Sequence, residues 1–310
     1  MQKREVEFPS EVPALKIRAD LYTPEGKGPW PTLVMGGGWC YVKELAMPEY
    51  AKFIVAKGVA CLVIDYRYFG ASDGEPRQHI DPWAQIADYR SAIDAISYLP
   101  EYKDIVDPNR IGCWGISYSG GHSLIVGAID PRVKCIISQI PIIDGWYNQM
   151  RVHGTMGFRE ITQHVAEERK RRYLTGKHTM IPHSGDYKNE ICCWPHPETK
   201  PIFMKIKETT APRHEHYSTI ASVESLWNYN VLPFLPRILN TPTLMIVAEG
   251  DDLTCWEREV PAFSEIATTK KKLFVQEHST HMSMYDNLDH LSVAAKQAAD
   301  WCEEWLVNKK

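Results

Sequence analysis

The segment Gly115-Ile116-Ser117-Tyr118-Ser119-Gly120-Gly121 sets a serine among small residues, directly after the apolar run Arg110 to Trp114 and directly before a helical pattern. A serine on a tight strand-to-helix turn lifts its hydroxyl clear of the chain. The residues two before and two after it must then be small, so that strand and helix can close up. Gly115 and Ser119 meet that need around Ser117, whereas Ser119 has Ser117 rather than glycine two residues before it. Ser117 is therefore the expected nucleophile. The same turn aims the backbone N–H of Tyr118 and the start of the helix at any oxyanion that develops beside it.

A serine hydroxyl is a weak nucleophile at neutral pH, so it needs a base within hydrogen-bond reach and an acid that holds the base in one tautomer. The run Thr243 to Val247 leads into Ala248-Glu249-Gly250-Asp251-Asp252, and the run Lys272 to Gln276 leads into Glu277-His278-Ser279-Thr280-His281. Both follow strand ends, where an open α/β sheet places its site. Asp251 is favoured as the acid over Asp252, and Asp144, after the run ending at Ile140, is a third candidate. His281 is preferred to His278 because it lies deeper in its loop, with Tyr285 shortly after it.

A second oxyanion donor is expected from the loop after Pro31 to Met35, which reads Gly36-Gly37-Gly38-Trp39. Glycines let backbone come close to a ligand, so Gly38 is expected at the substrate and the N–H of Trp39 beside that of Tyr118. A phosphate cradle is disfavoured because no Gly-Lys-Ser/Thr follows.

Positioning these groups requires a sheet. Short apolar runs, Pro31 to Met35, Ala60 to Asp65, Arg110 to Trp114, Val133 to Ile140, Thr243 to Val247 and Lys272 to Gln276, alternate with helical patterns at 47–57, 82–99, 118–128, 256–266 and 291–307. That rhythm predicts an α/β fold whose mostly parallel central sheet is flanked by helices. Val6 to Phe8 and Leu15 to Tyr22 alternate and predict an antiparallel edge pair. The rhythm breaks between 147 and 237, a polar stretch rich in Pro, His and Trp. A structureless loop of that length is improbable, so it is expected to fold as a mainly helical cap over a core formed by 1–146 and 238–310.

The 310 residues carry a formal net charge of −4, which gives no electrostatic reason to expect nucleic acid or an anionic membrane as partner. The opening residues lack a signal-peptide pattern and no apolar run is long enough to span a bilayer, so a cytoplasmic protein is expected. Eight cysteines without an export signal predict reduced thiols. Cys192 and Cys193 lack a second pair at zinc spacing. Seven of the twelve histidines fall in the cap, among them His214 and His216, which are expected at the solvated surface. No metal and no cofactor is expected.

Together, Gly115 to Gly121, Gly36 to Trp39, Asp65 to Gly74 (DYRYFGASDG), Pro82 to Ala92 (PWAQIADYRSA) and Asp107 to Gly112 (DPNRIG) resemble the α/β-hydrolase superfamily. Within it the chain is most similar to the branch holding dienelactone-hydrolase-like enzymes, the cocaine-esterase and X-prolyl dipeptidyl-peptidase group, and fungal polyketide transferases. The likeness covers nearly the whole core and is weak in the cap. It implies a Ser117–His281–Asp251 triad, because the family pairs an Ala-Glu-x-Asp turn with a histidine followed by an aromatic. The family's usual His-Gly is replaced here by Gly37-Gly38, which makes Trp39 the oxyanion donor.

Tyr41 near the nucleophile, with Trp146, Tyr147, Trp194 and Trp227 from the cap and its hinges, predicts an aromatic-walled mouth. The expected partner is a small molecule, a bulky hydrophobic or aromatic ester or lactone of polyketide type, and a homo-oligomer is compatible with this reading. An acyltransferase using the same residues and a non-catalytic binding module are the alternatives. The module would be expected to lack a triad member.

Overall fold

A computed structural model describes residues 1–185 and 190–308. The chain opens with β1 (Gln2–Pro9), β2 (Lys16–Thr23), β3 (Trp30–Gly36), α1 (Met47–Ala56), β4 (Ala60–Ile64), α2 (Pro82–Tyr98), β5 (Val106–Ile116), α3 (Tyr118–Ile129) and β6 (Val133–Gln139). After an excursion it closes with β9 (Thr243–Ala248), α7 (Trp256–Glu265), β10 (Lys271–Gln276), α8 (Ser283–Asp286) and α9 (Leu288–Cys302).

Among the described residues eight strands form one sheet in the order β1-β2-β4-β3-β5-β6-β9-β10. β1 pairs antiparallel with β2 and β2 with β4, and every later pairing is parallel. The central strands are apolar throughout because helices cover both faces, and β4 is buried at every position. α1 packs on α9, and α2 on α3. From β3 the chain steps outward to β4, then crosses back to β5 on the other side. The loops after β3 and β5 therefore meet at the point where strand order reverses, the usual crevice of an open α/β sheet.

The excursion begins at Gly145, two residues before the expected cap boundary, and ends in a short turn at Leu232–Arg237. It holds α4 (Gly145–Thr175), β7 (Met180–Pro182), α5 (Thr199–Thr209), β8 (Tyr217–Thr219) and α6 (Ile220–Trp227). It is mainly helical as expected, with one feature the sequence does not announce: β7 and β8 pair antiparallel. Each is three residues long, too short for an alternation to register. Gly154 kinks α4 with a φ of 63°. All eight cysteines are free and buried. Among the described residues no helix is long and apolar enough to cross a membrane.

Candidate active site

Ser117 stands between β5 and α3 with φ 58° and ψ −121°, a conformation that L-residues rarely hold and that costs on the order of 1–3 kcal/mol. The fold restrains it from several sides. Its N–H donates to the Gln139 carbonyl at 2.9 Å, and its own carbonyl accepts from the N–H of Gly120 at 2.9 Å and of Ile142 at 3.2 Å. A side chain at Gly115 would collide with the backbone of Ser119, which is why the turn needs glycine there. The Ser117 side chain retains slight exposure, and its hydroxyl makes no hydrogen bond among the described residues.

Ser119 is fully buried and unavailable as a nucleophile. Its hydroxyl donates to the Gly37 carbonyl and meets the Tyr66 hydroxyl. It thereby ties the turn carrying Ser117 to the loop after β3. That loop is also held from β4, where Asp65 accepts from the N–H of Lys43 at 2.6 Å and of Ala71 at 2.9 Å. Asp65 is thus a loop anchor, and burial pushes its carboxyl up to about 7. Gly38 lies so close to Ser117 that a Cβ there would sit 2.9 Å from Ser117 Cβ. The N–H groups of Trp39 and Tyr118 are not taken up by backbone or side-chain acceptors among the described residues.

Asp251 follows β9 and is fully buried, and His281 follows β10. Asp251 Oδ2 lies 2.9 Å from His281 Nδ1, while Oδ1 accepts from the N–H of Leu253 at 3.1 Å and of Thr254 at 2.8 Å. These backbone donors fix the carboxylate, which in turn fixes the imidazole with its proton on Nδ1. The rival residues are occupied elsewhere. Asp252 points outward and pairs with His196 at 3.1 Å. Asp144 caps α4 by accepting from the Tyr147 N–H at 3.0 Å. His278 is exposed beside Glu249.

Ser117 and His281 line one cavity, together with Trp39, Tyr41, Tyr285 and the cap's Trp194. The ring of Trp194 meets that of Trp39 edge-on at 5.9 Å. The hollow spans about 300 Å³ out to its mouth but leaves only about 20 Å³ free inside, space for about one water. Three buried donors on its wall, Trp39 Nε1, Tyr41 Oη and Trp194 Nε1, have no partner among the described residues.

Three of the expected wall residues are not brought there. Trp146, half exposed, packs with Phe158 and Trp227 in a separate aromatic cluster, at 4.7 and 6.1 Å. Tyr147 donates to Glu257 at 3.3 Å beneath the Arg258 guanidinium. The expectation for His214 and His216 is also corrected: His214 is fully buried and His216 half-buried, because Phe203 of α5 stacks over them.

Sequence reasoning missed four residues around His281. Thr254 Oγ1 lies 3.1 Å from His281 Nδ1 and donates to Glu259 at 3.0 Å. Burial, and then Asp251 beside it, hold the Glu259 carboxyl well above the usual range. The Tyr285 hydroxyl, flagged only as an aromatic after the histidine, lies 3.2 Å from His281 Nε2. His183 of the cap joins the cavity wall. The spacing from His281 to Tyr285 is one helical turn, a signal that could have found that contact; the others come from separate elements.

Known proteins resemble this chain in sequence and in fold. The chain is 30% identical over 283 residues to "Acyltransferase drtE" of Aspergillus calidoustus, covering 90% of this chain and 88% of that one. It is 30% identical over 285 residues to "Thiohydrolase aneE" of Aspergillus aculeatus, covering 89% and 86%. The crystal structure of the α/β hydrolase GrgF from Penicillium sp. sh18 superposes with a TM-score of 0.79 at 23% identity, over 99% of this chain and 100% of that one. Residues 14–283 match the family described as X-Pro dipeptidyl-peptidase (S15 family), and the chain belongs to that family, an α/β hydrolase of its branch.

Proposed function

We propose that the chain is a serine hydrolase that cleaves a carboxylic ester or lactone of a bulky hydrophobic or aromatic substrate of polyketide type, through an acyl-enzyme on Ser117. The observation that carries the reading is the 2.9 Å contact between Asp251 and His281, made where the histidine and Ser117 share one cavity. Ser117 Oγ attacks the substrate carbonyl carbon as His281 Nε2 takes its proton. The N–H groups of Trp39 and Tyr118 receive the oxyanion. His281 returns the proton to the departing alkoxide, and water then repeats the sequence on the acyl-serine. The unpartnered donors of Trp39, Tyr41 and Trp194 suit an oxygen-bearing substrate between aromatic walls.

A labelled fluorophosphonate tests this. The wild type is expected to be labelled on Ser117 and to turn over aromatic esters or macrolactones, with both lost in Ser117→Ala. Labelling that persists in Ser117→Ala, or turnover confined to short charged acyl chains, contradicts the reading.

A second reading, acyl transfer to an alcohol or amine, is supported by the relative named an acyltransferase. Products formed with added alcohols or amines separate the two.

A further inference from the structure

Three imidazoles from two cap segments converge beside the cavity. A ring nitrogen of each of His183, His214 and His216 lies within 4.8 Å of those of the other two. His183 follows β7, and His214 and His216 precede β8. The short hairpin therefore brings both segments to one place, with the His183 N–H donating to the His216 carbonyl at 2.9 Å.

We propose that His183, His214 and His216 bind a divalent zinc-type cation that clamps the cap hairpin to the loop carrying Trp39. A tetrahedral zinc with imidazole nitrogens at 2.0–2.1 Å separates its ligands by about 3.3 Å. His214 Nε2 and His216 Nδ1 already stand 3.1 Å apart. The far nitrogen of each faces an oxygen, as ligating histidines usually require. His214 Nδ1 donates to the Cys40 carbonyl at 3.0 Å, and His216 Nε2 lies 2.7 Å from Ser184 Oγ. Cys40 is the residue after Trp39, so the clamp reaches the oxyanion loop directly.

The third imidazole argues for a ligand. Without one, protons can run from Ser184 through His216 and His214 to the Cys40 carbonyl and satisfy both rings. His183 Nδ1 would still be buried with no partner among the described residues. Burial keeps all three rings neutral, driving His214 to about 4 and His216 to about 3. Neutral imidazole is the form that ligates.

The test uses the full chain and does not depend on its catalysis. Chelator-stripped protein is titrated with zinc against a chromophoric competitor, alongside elemental analysis of protein grown with zinc. Expected are about one zinc per chain, a rise in Tm on adding zinc, and affinity at least about 100-fold weaker in His214→Ala/His216→Ala and in His183→Asn. Far-UV circular dichroism and urea unfolding check that the variants fold. Should they fail to fold, nitrogen NMR of the wild type decides: zinc places the His216 proton on Nε2, and the metal-free chain places it on Nδ1. No stoichiometric zinc in the wild type, unchanged affinity in folded variants, or an Nδ1 proton on His216 in excess zinc overturns the proposal.

Discussion

The Tyr285 hydroxyl lies 3.2 Å from His281 Nε2, the nitrogen that would have to take the proton of Ser117. With Nδ1–H directed at Asp251, Nε2 is an acceptor and the tyrosine donates to it. The imidazole is thus engaged by a neighbour one helical turn away, and under the proposed mechanism that contact must be exchanged for one with Ser117. A hydrogen bond of this kind is worth about 0.5–1.5 kcal/mol net. Tyr285→Phe is accordingly expected to speed Ser117 labelling by about two- to tenfold, measured as a second-order rate constant. A tenfold slower rate would make Tyr285 a supporter of the base and not its competitor.

Asp251 and Asp252 are adjacent in sequence and opposite in environment. Asp251 is fully buried with three donors on its carboxylate, whereas Asp252 meets His196 near solvent, which holds its carboxyl below the usual range. Asp251→Asn is expected to lower kcat by about 10³–10⁴ because the wrong imidazole tautomer is then favoured. Asp252→Asn loses a partly exposed pair worth at most about 1 kcal/mol and should leave kcat within about twofold. Equal losses in both variants would dissolve the distinction.

The contrast between these two aspartates marks what the sequence alone can carry. The strand-to-helix turn at Ser117 is legible because its demands are local: a small residue two before and two after Ser117, a strand before and a helix after. The strands were legible for a similar reason, since burial on both faces leaves continuous apolar runs such as Ala60–Ile64. Which of Asp251 and Asp252 turns inward is decided by the Leu253 and Thr254 amides in the loop's three-dimensional path. Trp146 and Trp227 had the right chemistry for a cavity wall, but they lie together in a cluster with Phe158 away from it. His214 and His216 looked solvated because the residue that covers them, Phe203, sits on a helix that only the folded cap brings near.

His122 on α3 is fully buried and neutral, with Nε2 3.0 Å from Gln85 Oε1 and Nδ1 2.9 Å from the Tyr229 hydroxyl. Burial drives it down to about 3 from an ordinary 6.5. Between these values the unfolded chain takes up a proton that the folded chain refuses. Its contribution is therefore fully present above pH 6.5 and is lost as pH falls toward 3, by up to about 1.4 kcal/mol per pH unit. His122→Gln should reduce the stability difference between pH 7 and pH 5 by about 2 kcal/mol in urea unfolding. An unchanged difference would mean that other groups set the acid limb.

Trp194 closes the cavity from the cap by meeting Trp39, and the free space of about 20 Å³ behind it is far below the 300 Å³ or more that encloses a drug-sized ligand. Under the proposed function a bulky ester is expected to need movement of the cap, and that opening is expected to limit its turnover in the way that lids commonly do. A small ester is less hindered. Trp194→Leu removes part of the closure, so kcat/KM for a bulky aromatic ester divided by that for a p-nitrophenyl acetate should rise on the order of tenfold. Because both substrates meet the same preparation, the ratio cancels any loss of folded protein. A ratio that stays constant would place the entrance elsewhere, and a falling ratio would make Trp194 a binding wall for the bulky group.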